Sequence, residues 1–416
     1  MRYTPPDNEF YLRNRQRFVE QMEEDSLAVF FATVQVLRSA DAFHHYKQSS
    51  NFLYLTGIEQ EGCILLLYPP DEKGKTETLY IPQPDPGKET WTGKMLNKEE
   101  AEELSGISNI KWVSDFENAF IRQQENKSTL YADYNSLGFQ YPTSANLEFI
   151  NKVQHTLPGL QLKKANTIVH ELRKVKSSEE IELMQKAIDI TGEALLGLWG
   201  ETKPGMWEYE LEAVLAYHFL RHGSRRYAYE PIIASGIHSA TLHYIDNDSK
   251  LEDGDVLLTD VGAEYGNYAA DITRTVPVNG KFTARQRDVY QAVLDVQKQI
   301  IAAIKPGVMM SDLNERTKDL IGDHLISLEL IGEKEETAKY YMHSIGHFLG
   351  IDTHDVGTQK TPLEPGNVLT VEPGIYIQEE KLGIRIEDNV LVTEAGNKVL
   401  SKRIPREIED IESLVG

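Results

Sequence analysis

The feature of this sequence that most constrains its fold is a pattern that occurs twice in its second half. A helical pattern, Lys203-Pro204-Gly205 and a further helical pattern follow one another, and the same order recurs around Lys305-Pro306-Gly307. The motif Glu252-x-Gly254-x-Val256 also recurs, as Glu364-x-Gly366-x-Val368. One short match arises by chance, but several in the same order indicate an internal duplication.

Each copy carries two acids in or beside apolar, β-branched sequence. Asp260 and Glu372 each lie six residues after the glycine of the second motif. Asp271 follows Asp260 by eleven residues, and Glu387 follows Glu372 by fifteen. Because a buried carboxylate without a counter-charge is costly, four of them predict a pair of divalent cations.

The spacing of the acids predicts two antiparallel hairpins. If the acids of each pair face each other, the turns fall at residues 265–266 and 379–380, both in turn-like sequence. Like charges that face each other across a hairpin repel, so cations between the two pairs would stabilise the arrangement.

A group of histidines lies between the two acid pairs. His343, His347 and His354 fall within twelve positions and are flanked by glycines, which favours a functional role, and His243 is a further candidate. The four-residue spacing of His343 and His347 resembles a zincin helix, but Ser344 replaces the glutamate that such a helix needs. A zincin is therefore disfavoured.

The expected ligand set is hard and rich in oxygen. Four carboxylates and one imidazole suit Mn²⁺, Co²⁺, Fe²⁺ or Zn²⁺, and no thiolate is present to select zinc or copper. Cys63 is the only cysteine and lies in the apolar run CILLLY, where we expect a core residue. Two bridged cations can hold a hydroxide near neutral pH, so the residues themselves predict a two-metal hydrolase.

Charge and composition exclude several classes of function. The net charge of −22 argues against a nucleic-acid partner and an anionic membrane surface. The sequence has no apolar run of 18 residues and no signal-peptide core at its N-terminus, and a single cysteine cannot form an internal disulfide. We therefore expect a cytoplasmic protein that does not associate with membranes.

The chain length of 416 residues predicts two domains, residues 1–166 and residues 167–416. The first alternates helical patterns with candidate strands and is expected to be an α/β domain. The capping box Ser177-x-x-Glu180 opens the first long helix of the second. The candidate strands read LAVFFA, NFLYLTG, CILLLY, TLYIP, IKWV and TLYADY.

Residues 170–400 resemble the pita-bread metallopeptidases, which include methionine aminopeptidase, prolidase and aminopeptidase P. The shared motifs are the acid pair eleven residues apart, HxxGH, VEPG and RIED. The resemblance implies an α+β domain in which a duplicated half surrounds a curved antiparallel sheet. It also implies that Asp260 binds one metal, that Asp271 and Glu387 bridge two, and that His347 and Glu372 bind the second. Glu372 matches the general base of the family.

The N-terminal motifs Arg38-Ser-Ala-Asp41 and SNFLYLTG resemble the Xaa-Pro aminopeptidases within that family. This implies release of the first residue from peptides with proline second, by attack of a metal-bridged hydroxide, with Mn²⁺ as the expected metal. His243 or His354 would stabilise the oxyanion.

The same resemblance implies further site residues and an assembly. His343 and Arg385 would line or order the substrate site. Trp91 would reach the active site of a neighbouring subunit in a homo-oligomer, a dimer or a tetramer.

Two alternatives stay open. The first is a prolidase, which performs the same chemistry on Xaa-Pro dipeptides only. The second is a non-catalytic binding module, since this fold also occurs in proteins that have lost the metal. A metal-free creatinase-like hydrolase is disfavoured, because the ligand set is intact.

Overall fold

A computed structural model of the chain describes residues 3–70, 74–134 and 144–415. The chain forms two compact units, one of residues 5–173 and one of residues 174–416 with the start of the chain. Among the described residues, no helix combines the length and the apolar character that crossing a membrane requires. The domain boundary placed between residues 166 and 167 from the sequence stays a prediction.

The unit of residues 5–173 is built on a mixed sheet. Its strands are β1 (Ser26–Phe31), β2 (Leu37–Ser39), β3 (Ala42–Phe43), β4 (Ile64–Leu67), β5 (Glu77–Ile81), β6 (Ile110–Trp112), β7 (Thr129–Ala132) and β8 (Gln161–Lys164). In the described part of the unit, six of them form a sheet in the order β6-β5-β4-β1-β7-β8, and β2 pairs with β3 in a separate ribbon. Strand β1 runs antiparallel to β4 and parallel to β7.

Helices connect these strands. They are α1 (Asn8–Val19), α2 (Ser50–Thr56), α3 (Pro86–Thr92), α4 (Lys98–Ser105), α5 (Phe116–Gln124), α6 (Ala145–Thr156) and α7 (Asn166–Lys174). On one face of the sheet, Leu27, Val29 and Leu66 lie in a buried apolar cluster with Tyr80 and Phe116. This burial of β-branched and aromatic residues against helices confirms the predicted α/β class.

Five of the six candidate strands are confirmed, but NFLYLTG forms helix α2. All of residues 51–56 are buried, and Gly57 ends the helix in the left-handed region with φ +68°. A short segment that is buried on every side shows neither the period of a strand nor that of a helix. Its apolar composition therefore could not distinguish the two.

Besides short 3-10 segments, the larger unit contains five α-helices among its described residues. They are α8 (Ser178–Glu201), α9 (Glu208–Arg221), α10 (Ala284–Ala303), α11 (Met310–Ser327) and α12 (Ile408–Leu414). The predicted capping box at Ser177 and Glu180 opens α8, and Thr283 and Gln286 form another at the start of α10.

The strands of this unit form antiparallel ladders. They are β9 (Ile232–Ser235), β10 (Val256–Val261), β11 (Glu264–Tyr265), β12 (Tyr268–Ala269), β13 (Ile272–Pro277), β14 (Val368–Val371), β15 (Gly374–Ile377), β16 (Leu382–Arg385), β17 (Asp388–Thr393) and β18 (Gly396–Val399). The described ladders run in the orders β13-β10-β9 and β14-β17-β18, and the pairs β11-β12 and β15-β16 extend the two hairpins.

Matching backbone hydrogen bonds confirm the internal duplication. Gly205 N donates to Leu251 O at 2.8 Å, and Gly307 N donates to Leu363 O at 2.9 Å. The return bonds run from Leu251 N and Leu363 N to the residue after each glycine, both at 2.8 Å. The two KPG turns therefore make the same connection in each half.

The two halves meet along β13 and the segment that joins β16 to β17. Glu387 N donates to Thr273 O at 3.0 Å, and Thr275 Oγ1 donates to Arg385 O at 3.1 Å. Glu387 itself lies at this junction, and Asp271 immediately precedes β13. The fold thus brings the second acid of each hairpin to the same place.

Candidate metal centre

Ligand atoms from both halves converge at the junction. One ligand atom each from Asp271, His347 and Glu387 lie within 4.8 Å of one another. His347 Nε2 is 3.3 Å from Asp271 Oδ2 and 3.7 Å from Glu372 Oε1. Four of the five ligands predicted from the sequence therefore surround one small volume.

Tyr229 connects the fifth predicted ligand, Asp260, to this group. Its Oη lies 2.6 Å from Asp260 Oδ1 and 2.5 Å from Asp271 Oδ1. Burial, followed by the charges of these two carboxylates, raises the pKa of Tyr229 well above its ordinary value. The phenol therefore keeps its proton and is a donor between the two acids.

The predicted register of the second hairpin is confirmed. Val371 pairs with Asp388 on one side of the acids, and Gly374 pairs with Arg385 on the other. Both ladders have the same register, in which Glu372 faces Glu387, and the turn falls at residues 379–380 as predicted.

The predicted register of the first hairpin is wrong. Asp260 faces Thr273 rather than Asp271, and Tyr265 pairs with Tyr268. Gly266 and Asn267 have φ of +57° and +68°, which is the pair of left-handed residues that a two-residue type I′ turn requires. This turn closes the hairpin one residue later than predicted and displaces the pairing by two.

Backbone groups orient the imidazole of His347 toward the acids. His347 N donates to Thr370 Oγ1 at 3.0 Å, and His347 Nδ1 lies 3.0 Å from Phe348 O. When Nδ1–H donates to that carbonyl, Nε2 carries the lone pair and points at the carboxylates. This is the usual tautomer of a metal-binding histidine.

The surroundings of Glu387 fit a cation. Thr273 Oγ1 donates to Glu387 Oε2 at 2.7 Å, while Oε1 is buried and has no hydrogen-bond partner among the described residues. A buried carboxylate oxygen without a partner costs free energy unless a positive charge compensates it. Such an oxygen, set among carboxylates and one imidazole, matches a hard divalent metal ion.

The acids perturb one another strongly. Burial raises the pKa of Glu372 to about 7, and it raises the pKa of Asp271 above its ordinary value. Burial, and then the charges of Asp271 and Glu372, raise the pKa of Glu387 well above its ordinary value. Protons and cations are thus alternative counter-charges for this cluster.

A proton and a cation also compete for the imidazole of His347. Burial by itself would lower the pKa of His347, but the hydrogen bond and charge of Asp271 raise it to about 9. A proton on Nε2 occupies the position that a metal ion would take, so binding a cation there releases a proton.

Arg385 is buried and its guanidinium is engaged by the protein. Nη2 donates to Asp260 Oδ2 at 2.6 Å, Nη1 to Tyr376 Oη at 3.0 Å and Nε to Thr273 Oγ1 at 3.1 Å. Arg385 and Tyr229 therefore hold different oxygens of Asp260, Oδ2 and Oδ1 respectively. The predicted contact between Arg385 and substrate stays a prediction.

The other three predicted histidines lie beside the cluster. The ring centroids of His347 and His354 are 4.1 Å apart, and His343 Nε2 is 2.9 Å from Tyr376 Oη. Burial lowers the pKa of His343 to about 4, and burial also lowers that of His354. His243 has an exposed side chain, and its charge lowers the pKa of His343 and of His354 less than burial does.

Trp91 belongs to the other unit. It lies in α3 and its side chain is 88% exposed. Its predicted reach into a neighbouring subunit stays a prediction.

Tyr229, Thr273, Thr370 and Tyr376 are site residues that the sequence analysis missed. Thr273 carried a weak signal, since it lies two residues after Asp271 and two-residue spacing places side chains on one face of a strand. Thr370 bears the same relation to Glu372. Tyr229 lies 31 residues before Asp260, and no local pattern connects the two.

Comparison with known proteins defines the class of this protein. Residues 182–394 match metallopeptidase family M24, and residues 11–131 match the N-terminal domain of aminopeptidase P. The chain belongs to the M24 metallopeptidases and is a metal-dependent aminopeptidase.

The particular relatives are Xaa-Pro aminopeptidases. The Xaa-Pro aminopeptidase of Haemophilus influenzae is 35% identical over 99% of this chain and 97% of its own length. The zinc-substituted aminopeptidase P of Escherichia coli, solved with product, has a TM-score of 0.92 at 33% identity and covers 99% of this chain and 98% of its own. A Bacillus anthracis protein provisionally classed as aminopeptidase P has a TM-score of 0.96 at 39% identity, with 98% coverage of both chains. The predicted pita-bread fold is thereby confirmed.

Proposed function

We propose that this protein removes the N-terminal residue from peptides that carry proline in the second position. The observation that carries the proposal is the convergence of four carboxylates and His347, in which one oxygen of Glu387 is buried and has no hydrogen-bond partner in the part of the chain that the structure describes. Peptide bonds before proline are tertiary amides with restricted geometry, so they call for a dedicated site.

Two divalent cations complete the site in this proposal, with Mn²⁺ the first candidate and Co²⁺, Zn²⁺ or Fe²⁺ the others. Asp260 and Asp271 would hold one, His347 and Glu372 the other, and Asp271 and Glu387 would bridge them. When bound, the cations would supply a water activated near neutral pH and would polarise the scissile carbonyl.

Glu372 is the proposed general base. Its carboxyl is buried, and Thr370 Oγ1 donates to Oε1 at 3.2 Å, which holds the group in place. A carboxyl with a pKa raised by burial can both accept the proton of the nucleophile and return it to the departing prolyl nitrogen.

The histidines around the cluster are the proposed contacts of the reacting amide. His243 and His354 would donate hydrogen bonds to the developing oxyanion, and His343 would line the substrate site. The low pKa of His343 keeps this ring neutral at pH 7, so it would contribute hydrogen bonding rather than charge. Asp260, fixed by Arg385 and Tyr229, would lie near the free amino end of the substrate.

Proline specificity is supported by what the relatives are known to bind. The Escherichia coli aminopeptidase P, which is 33% identical to this chain, has been solved with the inhibitor Pro-Leu. The Haemophilus influenzae relative, which matches this chain over 97% of its own length, is named Xaa-Pro aminopeptidase.

The decisive experiment separates this proposal from its alternatives. The purified protein, loaded in turn with Mn²⁺, Co²⁺ and Zn²⁺, is assayed on a tripeptide with proline second, on the matching Xaa-Pro dipeptide and on a tripeptide with alanine second. We expect cleavage of the proline tripeptide only at its first bond and little cleavage of the alanine peptide. Cleavage of the dipeptide alone would identify a prolidase, and the absence of bound metal with no turnover would identify a binding module.

We also propose a homo-oligomer, assembled in part through the unit of residues 5–173. Exposed apolar side chains lie on and beside the β2-β3 ribbon, where Val36 is 61%, Leu37 is 55% and Phe43 is 51% exposed. Such exposure is unusual on a monomer and typical of an interface. Light scattering after gel filtration should give a dimer or tetramer, and Phe43→Ser should shift it toward the monomer.

A cytoplasmic location is the remaining part of the proposal. Cys63 is buried, unpaired and the sole cysteine, which suits a reducing compartment. Fractionation of cells that express the full-length chain should recover it with cytoplasmic markers.

A further inference from the structure

The residues that present His354 form a closed loop. Asp355 N donates to Phe348 O at 2.9 Å, and the ring of Phe348 packs against Gly357, which has φ +148°. We call residues 348–357 the His354 loop. His354 itself has an exposed side chain, and its ring centroid lies 4.1 Å from that of His347.

A buried ion pair lies directly behind this loop. Lys176 Nζ donates to Asp355 Oδ2 at 2.8 Å, and both side chains are only 1% exposed. Lys176 precedes α8, and its backbone N donates to Gly366 O at 2.9 Å. The pair therefore ties the neighbour of His354 to a segment that is held independently of the loop.

The surroundings leave the pair little freedom to move. A Cβ atom on Gly350 would lie 2.0 Å from Asp355 Oδ2 and 2.9 Å from Lys176 Cε, so only glycine fits. Gly350 O accepts a hydrogen bond from Ala269 N at 2.8 Å, and Ala269 lies two residues before Asp271. The loop, the ion pair and the strand that leads to a metal ligand are thus packed as one block.

An ion pair buried in this way needs a reason other than stability. Desolvation of two charges roughly cancels their attraction, so a pair of apolar residues often stabilises a fold as well or better. What a buried, hydrogen-bonded pair provides is a single fixed geometry.

We propose that Asp355, held by Lys176, is a positioning residue that fixes the His354 ring over the metal centre. The pair acts through the backbone of the loop, because Asp355 is the chain neighbour of His354. The kinetic effect expected of Asp355 rests on the catalytic role proposed above for His354. Its expected effect on the position of the ring does not.

The structural test is a crystal structure of the metal-loaded Asp355→Asn variant. We expect the distance between the ring centroids of His347 and His354 to change from 4.1 Å by about 1 Å or more, or the His354 ring to lose ordered density. An unmoved, ordered ring would overturn the proposal whatever the activity.

The kinetic test is a double-mutant cycle on the tripeptide with proline second. Asp355→Asn should lower kcat/KM by about 10- to 100-fold, since small displacements of a catalytic group have effects of this size. In a His354→Ala background the same change should lower kcat/KM less than about threefold. Equal losses in the two backgrounds would mean that Asp355 serves general stability, and would overturn the positioning role.

Further variants keep the test valid if a lone buried charge unfolds the protein. Lys176→Met combined with Asp355→Asn removes both charges, and Lys176→Arg keeps the pair. The double variant should lower kcat/KM as Asp355→Asn does, and Lys176→Arg should retain most of the native kcat/KM. Lys298→Met is the matched control, since Lys298 Nζ lies 2.8 Å from Glu407 Oε2 but the two side chains are 40% and 45% exposed.

The failure of this proposal is distinct from failure of the proposed function. If His354→Ala by itself leaves kcat/KM unchanged, the oxyanion role of His354 is wrong, and the structural test alone then decides whether Asp355 positions the ring. Metal content measured on every variant shows whether a loss of activity comes from a loss of metal.

Discussion

The two hairpins that carry the acids derive from one repeated pattern but close in different ways. The first turns tightly at Gly266 and Asn267, and the second turns through a short 3-10 segment at Gln378–Glu380. As a result, Glu372 faces Glu387 across its hairpin, whereas Asp260 faces Thr273.

This difference gives the two halves different chemical surroundings. In the first half, the acids are linked by Tyr229, and Arg385 pairs with Asp260. In the second half, one buried oxygen of Glu387 has no hydrogen-bond partner within the described ranges of the chain. The duplication therefore supplies four acids, and the turns decide which residue faces each of them across its hairpin.

The largest effect is expected at the proposed base, in the second hairpin. Glu372→Gln should lower kcat on the proline tripeptide by about 10²- to 10⁴-fold, because the general base is lost. Glu394→Gln is the control, since this glutamate is exposed in the turn that follows β17. The kcat of this variant should stay within about twofold of the native value. A Glu372→Gln variant with more than a tenth of the native kcat would contradict the assigned role.

The next effect concerns pH. Burial raises the pKa of Asp271, Glu372 and Glu387, so their carboxyls hold protons at a higher pH than free acids do. Cation binding displaces these protons, so Mn²⁺ affinity should fall by about tenfold or more for each unit that the pH drops below 7. Titration calorimetry at several pH values between about 5.5 and 8 measures the Mn²⁺ affinity. An affinity independent of pH would show that the cluster does not release protons on binding.

Two equivalent glycines test whether the register difference has an energetic cost. A Cβ on Gly262 would lie 1.9 Å from the backbone atom Ala270 O, whereas on Gly374 the nearest atom is the side-chain atom Tyr376 Oη, at 2.5 Å. Gly262→Ala should therefore reduce the free energy of unfolding by about 1–3 kcal/mol, and Gly374→Ala by less.

Gly200→Ala provides the control for these substitutions. Gly200 lies in α8, and no atom packed against the helix from the described residues comes within 4 Å of its Cβ position, so alanine should be neutral or stabilise by up to about 1 kcal/mol. Chemical denaturation of the three variants ranks their free energies of unfolding. Equal losses of unfolding free energy at Gly262 and Gly374 would mean that the two hairpins tolerate a Cβ equally well.

The smallest effect is expected at Tyr229. Tyr229→Phe removes the donor between Asp260 and Asp271 but keeps the ring, so Mn²⁺ affinity should fall by about tenfold while the fold is retained. Tyr244→Phe is the matched control, because its hydroxyl bonds Glu208 and Asp248 in the same half. Equal Mn²⁺ affinities in the two variants would show that the tyrosine bridge does not distinguish the first hairpin.

Much of the site could be predicted because its signals are local. The motif spacing placed Glu372 and Glu387 in register, and the capping boxes placed the starts of long helices. The prediction failed at Gly266–Asn267, where turn geometry shifted the pairing by two residues. It also failed at α2, where complete burial removed the periodicity that separates helix from strand.

The sequence by itself determined the duplication, the five candidate ligand residues and the hard character of the expected metal, because residue type and spacing suffice for these. Only the tertiary structure decided how the ligands are held. The bonds of Tyr229 to two acids, of Thr273 to Glu387 and of Lys176 to Asp355 join residues 31 to 179 positions apart. Such bonds depend on how the halves pack, and no pattern within one helix or strand encodes them.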